Sequence, residues 1–223
     1  MYIIGIDTET CNGFLDNDGK LDLSQSLVYD LGYAVIGIPS FEIVKEKSFI
    51  IGDIFVEMGE AMKAAYYAEK IPQYWQEWKE GKREIVSFYT ARKSLYEDML
   101  RYNVNAIFAH NAFFDVRALN NTQRYLTKSK YRYFFKWGTE ILDTLRLSQQ
   151  TICKTDDYIS FCVANEYMTK HKTPRPRATA EILYRYITNN NDFVESHTGL
   201  EDVKIEKEIL KYITQNDKAD GAN

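Results

Sequence analysis

The chain has 223 residues, of which 45% are hydrophobic, 14% aromatic and 27% charged, with a net charge of −4. A folded chain of this length buries roughly 70% of the surface its unfolded form exposes, while only 11 Gly and 4 Pro exclude collagenous and low-complexity classes. The slight acidic excess excludes a protein that coats nucleic acid through overall positive charge.

Residues 2–7 form a near-continuous apolar run, the pattern of a central strand buried on both faces, and 28–38 and 41–50 are two further predicted strands. Pro39 and Ser40 supply a turn between these two, so they are expected to pair antiparallel. Residues 53–83 turn helical, with Ile71, Trp75 and Trp78 at helical spacing and their rings expected to pack inward; 88–102 is another helix. A short buried strand at 106–109 leads into a helix at 113–126, and a strand end at 140–143 into helical 144–153. Helices are also predicted over 177–188 and 200–214. Beyond these, 215–223 holds no apolar residue larger than alanine and is expected to fray. Without repeats or linkers, 1–214 is expected to form one α/β domain: a mixed central sheet with antiparallel leading strands, flanked by helices.

No run approaches the roughly 18 to 20 apolar residues that span a bilayer, and no basic leader precedes the first strand, so a soluble, cytoplasmic protein without a membrane role is expected. Cys11, Cys153 and Cys162 are odd in number and not in metal-ligand spacing, which fits reduced thiols. Two stretches contain cations without acids. The first carries Arg124, Lys128, Lys130, Arg132 and Lys136 among Tyr125, Tyr131, Tyr133, Phe134 and Phe135; the second carries Lys170, Lys172, Arg175 and Arg177. Cations among rings suit a phosphate backbone with unpaired bases, although a solvated loop has the same composition.

Asp7 and Glu9 stand two apart at the end of the first strand, so their carboxylates point to one side, about 7 Å apart along the chain, while Thr8 points to the other. Like charges so close call for a cation, and hard oxygen ligands suit Mg²⁺ or Mn²⁺. A solvated acidic strand end is the alternative. Next, His110-Asn111-Ala112-Phe113-Phe114-Asp115 runs from a strand into a helix, with Asn111 as the expected N-cap and Asp115 in the opening turn, where it could equally complement the helix dipole. Finally, Thr198-Gly199-Leu200-Glu201 has the form of a capping box. In that register His197 and Asp202 take the two places that ordinarily hold an apolar staple, which should bring imidazole and carboxylate to one side of the helix entrance.

Asp7 and Glu9, Asp115, and the His197 and Asp202 pair, in this order and spanning nearly the whole chain, resemble the motifs of the DEDDh 3′-to-5′ exonucleases. The stretch Ile141-Leu142-Asp143-Thr144 also resembles a family strand end, where Asp143 has a structural role. Where many members have Ala, this chain has Gly199 and Val203, and the long stretch 53–101 has no assigned part. The resemblance implies an RNase H-like fold and hydrolysis at single-stranded DNA 3′ ends, releasing nucleoside 5′-monophosphates. It further implies two Mg²⁺ or Mn²⁺ ions, with Asp7 shared, Glu9 and Asp202 at one and Asp115 at the other, and His197 as general base. Thr8, His110, Asn111, Phe113 and Phe114, within the same motifs, are the expected substrate contacts. An exoribonuclease of the same architecture and a non-catalytic nucleic-acid-binding replication accessory protein are the competing readings. A DNA polymerase or other replication partner is a further expectation, for which Trp75 and Trp78 are candidate contacts.

Overall fold

The computed structural model describes residues 1–12, 25–63, 65–128 and 132–220, the last four by backbone alone. The most apolar strands lie at the sheet's centre: β1 (Tyr2–Cys11) and β2 (Leu27–Gly37), the latter buried at every position. With β3 (Ile43–Ile51), β4 (Glu84–Val86), β5 (Ala106–Ala109) and β6 (Glu140–Asp143) they form a six-stranded sheet in the order β4-β3-β2-β1-β5-β6. The pairs β1/β2 and β2/β3 are antiparallel, the second as expected from the turn residues at 39–40, and β1/β5, β5/β6 and β3/β4 are parallel.

Alternation along β1 sorts its side chains between two layers. Ile4 and Ile6 face the larger core, beneath α4 (Phe88–Arg101) and α5 (Ala112–Leu126), while Ile3 joins Ala34, Phe108, Val203 and Leu210 under α9 (Gly199–Asp220). A third cluster joins α9 to α7 (Asp156–Ala164) and α8 (Ala180–Thr188).

Several elements differ from the sequence expectation. β1 runs on to Cys11, four residues past Asp7, so that Asp7 and Glu9 lie within a paired strand. The stretch 53–83 is broken into α1 (Gly52–Phe55), α2 (Gly59–Lys63), a 3₁₀ turn at Ala68–Lys70 and α3 (Ile71–Lys79), with Pro72 in the first turn of α3. There it is Tyr74 that is buried, against Tyr29 and Phe55; Trp75 packs on Phe55, and Trp78 is 43% exposed. β4 and α7 are additional elements. The expected helix at 144–153 is α6 (Thr144–Gln150) followed by a 3₁₀ turn. α8 starts at Ala180 rather than 177, because the Arg177 amide and carbonyl bond to the Tyr167 carbonyl and the Tyr158 hydroxyl and Thr179 caps the helix. The expected fraying from Gln215 is not seen before Asp220, the end of α9; 221–223 lie outside the described residues.

The first turn of α9 lies directly on β1 and β2. A Cβ on Gly32 would stand 2.1 Å from the Leu200 amide nitrogen, and one on Gly199 would stand 2.7 Å from the Gly32 nitrogen and 2.9 Å from the Asp7 carbonyl oxygen. Only glycine at both positions permits backbone to meet backbone there. Gly32→Ala is therefore expected to lower unfolding stability by at least about 2 kcal/mol in chemical denaturation, the scale of an overpacked core; a loss under about 0.5 kcal/mol would show that the helix can move aside.

Candidate active site

The glycine contact sets α9 so that Asp202, near its start, and Glu206, one turn on, face the side of β1 that carries Asp7 and Glu9. Ligand atoms of Glu9, His197 and Asp202 all lie within 4.8 Å of one another. The helix entrance is held by Asp30 of β2, a fully buried carboxylate that accepts from the Gly199 amide at 3.1 Å. Asp30 also accepts from the Tyr74 hydroxyl at 2.7 Å and from Arg83 Nη1 through both oxygens at 2.8 Å. Among the described residues the expected capping-box side-chain bonds are not made: Thr198 Oγ1 pairs with Ser196 Oγ at 3.1 Å, and Glu201 pairs with Lys204 at 2.9 Å. The Thr198 carbonyl still accepts from the Asp202 amide at 3.1 Å, so the expected register holds although the cap is Asp30.

The other side of the site comes from the β5-to-α5 corner. Asn111 occupies the N-cap position with φ of 69°, without a side-chain cap bond, and donates its amide to Asp143 Oδ1 at 3.2 Å. Asp143 itself caps α6 through the amides of Leu145 and Arg146, a structural role. Asp115, in the first turn of α5, accepts at Oδ1 from both the amide (3.1 Å) and the hydroxyl (2.7 Å) of Thr8. The Thr8 hydroxyl is thereby committed to aiming Asp115. His110 donates its amide to Glu206 Oε1 at 2.8 Å. Its Nε2 lies 2.7 Å from the Ala178 carbonyl, which can only accept, so the neutral ring carries its proton there, while Nδ1 lies 3.1 Å from Thr144 Oγ1, a hydroxyl that also reaches the Ala109 carbonyl at 3.2 Å. The His110 ring thus joins the end of β5 to the 169–178 loop through Nε2 and to Thr144, at the start of α6, through Nδ1.

His197 stands at a strained corner, with φ of 49°. Tyr67 stacks on its ring, centroids 4.3 Å apart and planes at 15°, Lys70 Nζ donates to the neighbouring Ser196 carbonyl, and Glu195 Oε2 lies 3.8 Å from Nδ1. The broken helical stretch whose part was open in the sequence therefore holds the histidine loop.

Charge is unusually concentrated here. Burial, followed by repulsion from Asp115, Glu206, Asp202 and Glu9, raises the proton affinity of Asp7 far above that of an ordinary carboxylate. Glu9, Asp115, Asp202 and Glu206 are raised as well, in each case first by burial. Lys70 offsets part of the charge at Glu9 and Asp202. Burial, and then Lys70, lower the proton affinity of His197, so its ring is neutral at neutral pH. Converging buried oxygens beside a neutral imidazole, with Glu206 Oε2 lacking any partner among the described residues, are a donor set that fits hard divalent cations.

These groups line one cleft of about 1050 Å³. Asp7, Thr8, Glu9, His110, Asn111, Phe114, Asp115, His197 and Asp202 all line it, and from the second basic stretch His171, Lys172, Arg175 and Arg177 form its rim. Phe113 does not: it is 47% exposed with Arg146 over its ring at 4.4 Å. The first basic stretch is also elsewhere, with Phe134 and Phe135 buried, Arg124 over Tyr133 and Lys136 over Tyr96; Lys130 and Tyr131 lie outside the described residues. Tyr67, Lys70, Glu195 and Glu206 were not singled out from sequence, although Glu206 falls four residues after Asp202, on the same helix face.

No family model matches the chain, and no curated protein matches it. Solved structures do. The nuclease domain of 3′hExo, a DEDDh family member, bound to rAMP, aligns with a TM-score of 0.58 at 11% identity over 96% of this chain and 92% of that one. A full-length 3′-exonuclease aligns with a TM-score of 0.60 at 12% identity, over 96% and 82%. E. coli Exonuclease I in complex with a dA16 oligonucleotide aligns with a TM-score of 0.50 at 12% identity, over 96% of this chain and 41% of that one. The chain thus has the α/β fold of DEDDh-type 3′-exonuclease structures, the mixed sheet expected from sequence. Among the described residues no helix is long and apolar enough to cross a membrane.

Carboxyl groups that bind protons more tightly when folded destabilise the metal-free protein as pH rises from about 4 through their raised values. His110 and His197, lowered by burial, act in the opposite sense, but only near and below about pH 6.5. In EDTA, Tm is therefore expected to be lower at about pH 8.5 than at about pH 6.5 by more than roughly 3 °C, the shift that about 1 kcal/mol produces at this size. Mn²⁺ should recover more stability at the higher pH. An EDTA melt that rises with pH and ignores Mn²⁺ would contradict the charge assignment.

Proposed function

We propose that the protein is a divalent-metal-dependent 3′-to-5′ exonuclease that removes nucleoside 5′-monophosphates from single-stranded DNA ends. The observation that carries this reading is the convergence of Asp7, Glu9, Asp115, Asp202 and His197 in one cleft whose rim presents Lys172, Arg175 and Arg177. Four acids alone would repel a phosphodiester; divalent cations held among them would instead stabilise the charge on the attacking and leaving oxygens. Asp7 would contact both cations, Glu9 and Asp202 completing the coordination of one and Asp115 that of the other. His197, neutral and braced by Tyr67, has one ring nitrogen able to accept a proton from the attacking water. The water oxygen bonds to phosphorus as the bond to the 3′ oxygen of the preceding nucleotide breaks, leaving a shortened strand with a 3′ hydroxyl. Phe114 lines the cleft beside Asp115 and can stack on an unpaired base, a contact worth about 1 to 3 kcal/mol. The rim cations would follow the phosphate backbone.

RNA is the second reading, since the structures of similar fold include a nuclease domain bound to rAMP as well as an enzyme bound to dA16. Matched 5′-labelled DNA and RNA oligonucleotides, incubated with Mg²⁺ or Mn²⁺ and with EDTA, separate the two. A ladder shortening from the 3′ end with either metal and none in EDTA is expected, and Asp202→Asn should reduce it at least about 10²-fold while the variant stays folded. No cleavage of either polymer would leave a binding module instead.

The acid limb of the pH–rate profile tests the base. With metal saturating, the rate should decline only below about pH 6.5, the ordinary histidine value, because His197 resists protonation; a profile flat down to about pH 5 would remove His197 from that role.

A further inference from the structure

Glu206 has no part in the arrangement above, yet it is the most enclosed acid in the cleft. It is 2% exposed, lies one turn along α9 from Asp202, and lines the same cavity. One oxygen is occupied: Oε1 accepts the His110 amide at 2.8 Å. The other is not, since Oε2 is buried without a hydrogen-bond partner among the described residues. A buried carboxylate oxygen left unsatisfied costs on the order of 1 to 3 kcal/mol or more, and a proton on Oε2 would not relieve this because no acceptor meets it there. Its electrostatic neighbours are Asp115, Asp202 and Asp7, so whatever satisfies the oxygen must suit a site already crowded with negative charge. Neither a second carboxylate nor a phosphate does. Hard divalent cations take about six oxygen ligands each, more than Asp7 and Asp115 supply on their side of the cleft.

We infer that Glu206 is a fifth metal-ligating carboxylate of this cleft, binding through Oε2, directly or through one ordered water, the divalent cation held by Asp7 and Asp115, while Oε1 anchors the end of β5. The inference rests on the cation reading of the cleft. Glu206→Gln separates the two functions of the side chain, because its amide oxygen can still accept from the His110 amide while the anionic oxygen is lost.

Calorimetric titration of Mn²⁺ into the metal-free full chain reads this without turnover. Wild-type protein should bind Mn²⁺, and Glu206→Gln should bind it roughly 10- to 100-fold more weakly, at least the loss that follows disruption of residues around a metal site, with a Tm in EDTA equal to or above that of wild type. Glu206→Ala, which leaves room for a water on the His110 amide, serves as the second variant should the first fail to fold, and should weaken Mn²⁺ binding similarly. Wild-type Mn²⁺ affinity in a folded variant would overturn the role of Glu206 and leave the cleft's other ligands standing. Absence of Mn²⁺ binding in wild-type protein would overturn the cation reading of the cleft, and this inference with it.

Discussion

The buried carboxylate of Asp30 is the joint on which the site depends. It stands in the middle of an otherwise apolar strand and gathers Arg83, Tyr74 and the Gly199 amide. A buried ion pair of this kind is weak as a source of stability but severe when broken, at about 3 to 5 kcal/mol for the loss of one partner. Its consequence here is geometric. The carboxylate takes the place of an N-cap side chain, so the start of α9 is fixed to the sheet rather than to its own preceding loop. Gly32 and Gly199 let the helix come down until backbones touch, which brings Asp202 beside Glu9 and Glu206 beside His110. Arg83 joins the same carboxylate to the helical stretch at 52–79, which in turn carries Tyr67 and Lys70 to the histidine loop.

That joint allows an arrangement that would otherwise be unfavourable. Burial and mutual repulsion both work against ionising Asp7, Glu9, Asp115, Asp202 and Glu206, and the chain supplies little positive charge to offset them. Folding energy from the apolar layers on both faces of the sheet is used to hold these oxygens together, and the site is the place where consistency between local preference and overall stability gives way. Lys172, Arg175 and Arg177 line the same cleft, so it presents negative charge for cations and positive charge for phosphates together.

Much of this was legible in the sequence because the signals are local. The D-x-E alternation fixes the face of Asp7 and Glu9, the strand-to-helix step at 109–112 fixes Asp115, and the His197 to Asp202 spacing fixes a corner. β5 and β6 have the bounds their apolar runs indicate. What was not legible depends on contacts distant in sequence. Asp30 could have been flagged as an acid inside a buried strand, which requires a partner, but nothing near it in sequence names Arg83 as that partner. The stacking of Tyr67 on His197 joins residues 130 positions apart and has no periodic signature. Helical spacing through 53–83 missed its breaks, since Tyr74, rather than either tryptophan, fills the space between Tyr29 and Phe55. The cationic composition of 124–136 resembled a phosphate-binding surface, but Phe134 and Phe135 are core residues, and Arg124 and Lys136 lie over Tyr133 and Tyr96.

Anomalous scattering from crystals grown with Mn²⁺ tests the central claim most directly. The account requires two peaks about 3.5 to 4 Å apart, both within coordinating distance of Asp7, one bounded by Glu9 and Asp202 and the other by Asp115. Peaks located elsewhere, or none at Mn²⁺ concentrations that saturate binding in solution, would contradict it.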